Sequence, residues 1–317
     1  MKNVTCFGTG LIGTGWSVVF LRGGCKVKLY DIDQGKIDDA KKNLDTILDF
    51  LASKGLMNED QRKQYLANVS FTMDVPEAVK DADFIQENGP DNLELKQKII
   101  KSIEDNCRPD TIIASSTSGL LIADIAAGAK NPERILGGHP YNPPYMMPLV
   151  EISKTDKTSQ KCVEAARAFY IELGKEPVIL NKEVKGFLCN RIQGVVCREA
   201  MDLVNKGVCT VEDIDKAIVF GLGLRWGVIG PHLVNTLGGG AGGFKQFWHH
   251  LSTTFTNILK DIDNWSDIPP AGYVEKAEPQ IAQEMANRAK GTGQTVDELR
   301  AYLNNGMVEL LKFHKKF

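Results

Sequence analysis

Val4-Thr5-Cys6-Phe7-Gly8-Thr9-Gly10-Leu11-Ile12-Gly13 runs a short β-branched segment straight into a GxGxxG turn, followed by a stretch of helical character ending near Arg22-Gly23-Gly24. The first glycine permits the turn, the second lets the backbone approach a pyrophosphate, and the third allows helix and strand to pack closely. The free N–H groups and positive dipole at the helix start would hold the phosphates. Gly8, Gly10, Leu11, Ile12 and Gly13 are therefore the expected dinucleotide contacts. Asp31 stands 31 − 8 = 23 residues beyond Gly8, at the end of the strand-like Lys26–Asp31, close to the ~20 expected of a ribose-binding acid. Its carboxylate would accept the ribose hydroxyls and repel a 2′-phosphate, and no arginine follows it. NAD is the expected cofactor, rather than NADP.

Outward from this turn, short β-branched runs alternate with amphipathic stretches, the pattern of a parallel sheet covered on both faces. Strands are expected at Val4–Phe7, Lys26–Asp31, Phe84–Glu87, Thr111–Ser115, Ile135–Gly137, Leu149–Ile152 and Pro177–Leu180. The charged segment Lys36–Asn68, broken near Gly55-Leu56-Met57-Asn58, reads as a helical hairpin inserted into the sheet. After about Lys185 the β-rich runs stop, and Gly186–Lys206 carries a broad apolar helical stripe. The fold class expected is α/β: a doubly wound parallel sheet of Rossmann type over 1–185, then an all-helical domain over 186–317 for substrate binding and dimerisation. Gly238–Gly243, five glycines in six positions, is expected to be a linker or tight loop.

At 317 residues the chain suits two domains. With 43% hydrophobic and 25% charged residues and a formal net charge of −2, it has no basic excess to attract nucleic acid or anionic lipid. A small-molecule partner is expected. Lys2 and Asn3 lead directly into the first strand, leaving no room for a signal peptide's apolar segment, so the cytoplasm is the expected compartment. Seven cysteines without a CxxC pair argue against a disulfide framework or zinc knuckle, and no metal is expected.

His139 stands at the end of the Ile135–Gly138 run, ahead of Pro140-Tyr141-Asn142-Pro143-Pro144, with Glu151 inside the next strand. Alcohol dehydrogenation needs a base near neutral pKa, and a buried carboxylate beside an imidazole fixes its tautomer and stabilises its charged form. Such a dyad is one reading of His139 and Glu151. A structural histidine in a proline-rich turn is the other, and spacing alone does not bring the two residues together.

Six ordered motifs, Gly8–Gly13, Gln86–Lys96, Ser115–Ser118, His139–Pro143, Leu149–Glu151 and Gly186–Arg191, resemble the L-3-hydroxyacyl-CoA dehydrogenase family over the chain to about Pro231. The similarity is greatest to its free-acid branch of L-gulonate 3-dehydrogenase (lambda-crystallin) and L-carnitine dehydrogenase type. The resemblance implies His139 as catalytic base and Glu151 as its partner, with Ser118 and Asn190 on the substrate oxygen that becomes the ketone. It implies Asp91, where the family usually has glutamate, and Lys96 near the cofactor ribose. It also implies oxidation of an L-3-hydroxyl with hydride passing to NAD, in a homodimer.

Arg225, within Leu222-Gly223-Leu224-Arg225-Trp226, lies in an otherwise apolar and glycine-rich stretch. A guanidinium there suits a carboxylate, which it can bind with two parallel hydrogen bonds, and a thioester carries no such charge; an arginine that caps a helix or pairs within a dimer interface is the other reading. Trp226 could wall a quaternary ammonium through cation–π attraction of ~0.5–2 kcal/mol, or be a core or interface residue. The Lys36–Asn68 hairpin points the other way, since Lys54, Arg62 and Lys63 could meet the phosphates of a CoA ester or form only a solvated helix face. A short-chain L-3-hydroxyacyl-CoA dehydrogenase is therefore the alternative enzyme, and a non-catalytic NAD-binding, crystallin-like protein the alternative from another class.

Overall fold

The computed structural model describes residues 2–264 and 268–316. The described residues divide into two compact units, one running to Arg191 and including Lys316, the other from Ile192 to Lys315.

The first unit is built on eight strands: β1 (Asn3–Phe7), β2 (Lys26–Tyr30), β3 (Val69–Thr72), β4 (Phe84–Glu87), β5 (Ile112–Ser115), β6 (Ile135–Pro140), β7 (Leu149–Ser153) and β8 (Glu176–Ile179). Their order in the sheet is β3-β2-β1-β4-β5-β6-β7-β8, so the direction of winding reverses between β1 and β4. A crevice outside the carboxyl ends of the strands at such a reversal is where open α/β sheets bind ligands. Helix α1 (Leu11–Arg22) connects β1 to β2, and its Trp16 and Phe20 join Phe84, Phe169 and Tyr170 in an aromatic core.

The inserted hairpin is α2 (Gln34–Ser53) and α3 (Glu59–Ala67). Asp33 caps the first helix and Asn58, in a capping box with Gln61, the second. Ile37, Ala40, Leu44, Leu48 and Leu51 recur at three- and four-residue spacing, and the face they share is buried. The remaining helices of this unit are α4 (Val75–Val79), α5 (Leu93–Glu104), α6 (Ile122–Ile125) and α7 (Gln160–Glu172), and α8 (Cys189–Asn205) begins at its end.

The sheet is parallel as expected except at one strand pair. β6 and β7 pair antiparallel, in the register Gly138↔Ile152, His139↔Glu151, Pro140↔Val150. Only residues 141–148 join the two strands, and a parallel crossover takes a dozen or more. β6 also runs through Pro140 rather than ending at Gly137, which places His139 inside the strand.

In the second unit the described residues after α8 contain α9 (Val211–Ala217), a π-helical turn (Ile218–Gly223), α10 (Leu224–Trp226), α11 (Pro231–Gly238), α12 (Gly243–Asp261), α13 (Tyr273–Asn287) and α14 (Val296–Phe313). The glycine-rich stretch is a tight connection between α11 and α12. Gly240 and Gly243 have positive φ, and a Cβ on Gly239 would lie 1.8 Å from the Gly243 carbonyl oxygen. Among the described residues no single helix is long and apolar enough to cross a membrane; Val211–Trp226 and Pro231–Gly238 reach that length only together, across an 87° bend.

Candidate active site

The glycine turn has the geometry that a dinucleotide requires. Gly8 adopts φ +100°, and a Cβ on Gly13 would stand 1.9 Å from the Gly8 oxygen, so neither position tolerates a side chain without displacement. Gly10 begins α1 with no side chain capping the helix, and a Cβ there would meet nothing within 4 Å. The amides of the first turn, Leu11 and Ile12 among them, are therefore free for a phosphate to approach. Asp31 lies one residue beyond β2, where its Oδ2 accepts the Thr9 amide and hydroxyl, each at 2.9 Å, and its Oδ1 accepts the Ile32 amide. These contacts hold the carboxylate beside the turn.

The antiparallel register sets His139 directly opposite Glu151, and cross-strand neighbours of this kind share one face of a sheet. Nδ1 of His139 lies 2.8 Å from Oε2 of Glu151, and both side chains are buried. Oε1 of Glu151 accepts the Leu188 and Cys189 amides at 2.8 and 3.0 Å. Burial pushes the Glu151 carboxyl up, but hydrogen bonds from His139 and these two amides outweigh it and hold the group below its ordinary value. The ionised carboxylate can only accept, so Nδ1 carries the proton between them and Nε2 is left to take one. Phe187 stacks on the imidazole at 5.1 Å between ring centroids.

A depressed carboxyl pKa contributes stability above the ordinary carboxylate range and loses it as pH falls through the lowered value. Glu151→Gln lacks this contribution at every pH, so it should be less stable than wild type at neutral pH and approach it on acidification. Urea midpoints at neutral pH and well below the carboxylate range measure this. A gap that stays constant between the two would show that the carboxylate contributes no pH-dependent stability.

Ser118, Asn190 and Asp91 form a second group. Asp91 Oδ2 accepts the Ser118 amide at 3.0 Å and its hydroxyl at 2.8 Å, and Asn190 Nδ2 donates to the Ser118 carbonyl at 3.3 Å. Burial raises the Asp91 carboxyl, but hydrogen bonds from Thr117 and Ser118 exceed that and keep it low. The segment from Phe187 to Asn190 touches both groups, packing on His139 at one end and reaching Ser118 at the other.

Lys96 is buried. Its side chain is 1% exposed, and Nζ donates to Glu87 at 2.8 Å and to the Gly89 carbonyl at 2.9 Å, with Asp91 Oδ1 at 3.7 Å. Arg225 is exposed on α10 of the second unit, and among the described residues no carboxylate pairs with it. In the inserted hairpin Arg62 is clasped by Asp45 and Asp49 of α2 at 3.2 and 2.5 Å, Lys63 lies 3.9 Å from Asp60, and Lys54 lies over the Phe50 ring.

Several residues at the site were not foreseen. Gln86 donates to Ser116 Oγ and to the Gly138 carbonyl, and accepts from the Tyr170 hydroxyl. Ser116 in turn donates to Asn88, whose backbone closes against Gly8. This chain, buried at Gln86 and Tyr170 and half-buried at Ser116 and Asn88, ties the glycine turn to the strand that carries His139, and its members look unremarkable as single residues in sequence. Lys175 anchors the 141–148 connection by donating to the Pro144 and Met147 carbonyls, and burial brings its ammonium down to about 7. A lone lysine at a strand start gives no sign of this. Phe187 lies in a quoted motif, but its apolar side chain hid its contact with the imidazole.

Residues 3–184 match the family described as 3-hydroxyacyl-CoA dehydrogenase, NAD binding domain, and residues 186–269 match its C-terminal domain. An L-carnitine dehydrogenase of Pseudomonas aeruginosa is 40% identical over 98% of this chain and 93% of its own length. A 3-hydroxyacyl-CoA dehydrogenase of Gibberella moniliformis is 37% identical over 84% of each. Among solved structures, an NAD+-dependent 5-formyl-3-hydroxy-2-methylpyridine 4-carboxylic acid 5-dehydrogenase superposes with a TM-score of 0.80 at 29% identity, covering 99% of this chain and 98% of its own.

Proposed function

This chain belongs to the 3-hydroxyacyl-CoA dehydrogenase family, and we propose that it oxidises a small L-3-hydroxy acid with a free carboxylate, gulonate- or carnitine-like, to the 3-keto acid. It is an NAD-dependent dehydrogenase of 3-hydroxyacyl or hydroxy-acid substrates. The observation that carries the mechanism is the buried contact between His139 Nδ1 and Glu151 Oε2. His139 takes the hydroxyl proton at Nε2, and Glu151 stabilises the imidazolium that forms. Bound NAD supplies the acceptor for the hydride that leaves C3. Asn190 and Ser118 hold the oxygen that becomes the ketone. Asp91 retains the Ser118 amide, so the Ser118 hydroxyl can turn to the substrate without stranding that carboxylate. Gly8, Gly10, Leu11, Ile12, Gly13 and Asp31 hold the dinucleotide.

Three observations support the choice of a free acid. Arg225 has no carboxylate partner among the described residues, Arg62 is occupied by Asp45 and Asp49, and relatives of nearly the same length are L-carnitine dehydrogenases. We assign residues 1–185 to NAD binding and 186–317 to substrate binding and dimerisation. Leu233, Leu237 and Leu259 on α11 and α12 are exposed and suit a homodimer surface. Seven free thiols suit a reducing compartment, the cytoplasm.

Arg225→Ala should lower kcat/KM for the preferred hydroxy acid by about 10- to 150-fold, the ~1.5–3 kcal/mol of a charge-assisted hydrogen bond. The test is NADH absorbance with gulonate, carnitine, 3-hydroxybutyrate and its CoA ester. Efficient turnover of the CoA ester, unaffected by Arg225→Ala and with the free acids poor, would replace the free-acid reading by that of a short-chain acyl-CoA enzyme.

A further inference from the structure

We propose that Phe187 is a positioning residue for proton transfer at His139, holding the imidazole with its ring and aiming two amides at Glu151 through its backbone. The inference rests on His139 being the general base. Phe187 is 1% exposed and adopts φ +51°, a left-handed conformation that β-carbon sterics disfavour for phenylalanine. Such strain persists only where the surroundings over-determine it. Here two sets of contacts do so.

The ring lies at 23° to the imidazole plane. With Glu151 fixing one edge of His139 and Phe187 covering one face, the imidazole is constrained both in its own plane and out of it. The backbone makes the second set. Gly186, at φ +77°, and Phe187 are consecutive left-handed residues, and the chain leaving them presents the Leu188 and Cys189 amides to the same Glu151 oxygen. Successive amides converging on one acceptor make a compact anion site. A right-handed Phe187 would direct the following amides elsewhere and leave one oxygen of a buried carboxylate without donors. A single residue thus sets the orientation of the base and the charge of its partner, and the Asn190 side chain follows three positions later.

Three variants separate ring from backbone. Phe187→Ala removes the ring and keeps the unfavourable φ; Phe187→Gly removes the ring and relieves it. Phe187→Leu keeps apolar bulk and serves as the folded reference should either of the others unfold. The readouts are kcat, KM for the hydroxy acid and NADH affinity, with His139→Gln measured alongside. Phe187→Ala is expected to lower kcat by roughly 10- to 100-fold, in line with the cost of slight misplacement at a reacting centre. KM and NADH affinity should stay within about twofold, because a positioning residue acts on the chemical step. Phe187→Gly should exceed Phe187→Ala in kcat yet remain below wild type, and Phe187→Leu should fall by at least about fivefold. Variants that all keep kcat within twofold of wild type, or that lose only KM, while His139→Gln has lost turnover, overturn the proposal and leave the base intact. Turnover retained by His139→Gln overturns the base assignment and the proposal with it.

Discussion

His139→Gln should lose on the order of 10²–10⁴ of kcat, the usual worth of a positioned general base, while NADH binds as it does to the wild type. Glutamine is close to histidine in reach and its amide can still donate to Glu151, so the 2.8 Å contact has a polar substitute and the strand register need not change. The amide cannot accept the alcohol proton at neutral pH. Residual turnover should then rise with pH, as solvent hydroxide replaces the missing base. Titrating NADH fluorescence against the variant separates loss of chemistry from loss of cofactor. Turnover within tenfold of wild type would mean that some other group removes the proton.

The glycine turn and the doubly wound class of the sheet were readable because each depends on local pattern: a turn needing glycine, an alternation of periods; the short β3 lies outside the expected strands. The sheet direction at β7 was readable in principle, since residues 141–148 are too few for a crossover, yet composition alone does not distinguish parallel from antiparallel strands. The meeting of His139 and Glu151 depends on that direction. Twelve residues separate them in sequence, and only the antiparallel register makes them neighbours. Phe187 was not readable, because its effect lies in a φ angle and a stacking contact, neither of which residue type encodes. The same holds for Gln86 and Lys175, whose partners come from distant segments.

Lys96→Met is expected to cost about 3–5 kcal/mol of stability, the penalty for stranding one charge of a buried pair. The motif containing Lys96 resembles one that meets the cofactor ribose, but its ammonium is spent on Glu87 and the Gly89 carbonyl, and Glu87 also accepts the Gly89 amide and the Ser115 hydroxyl. The pair thus fixes the Gly89-Pro90-Asp91 turn at the end of β4, and through Asp91 it supports Ser118. Removing the lysine alone leaves a buried carboxylate with only neutral donors. Removing both charges in Glu87→Gln/Lys96→Met keeps an acceptor for the Gly89 amide and leaves no ion to desolvate. The double variant should therefore return to within about 1–2 kcal/mol of wild type, since neutral replacements of buried ion pairs are often tolerated. Urea unfolding of the two single variants and the double variant measures the coupling. NADH affinity in the double variant then decides the role. Affinity close to wild type makes Lys96 a support for the turn, whereas a stable double variant that no longer binds NADH returns the ammonium to the cofactor.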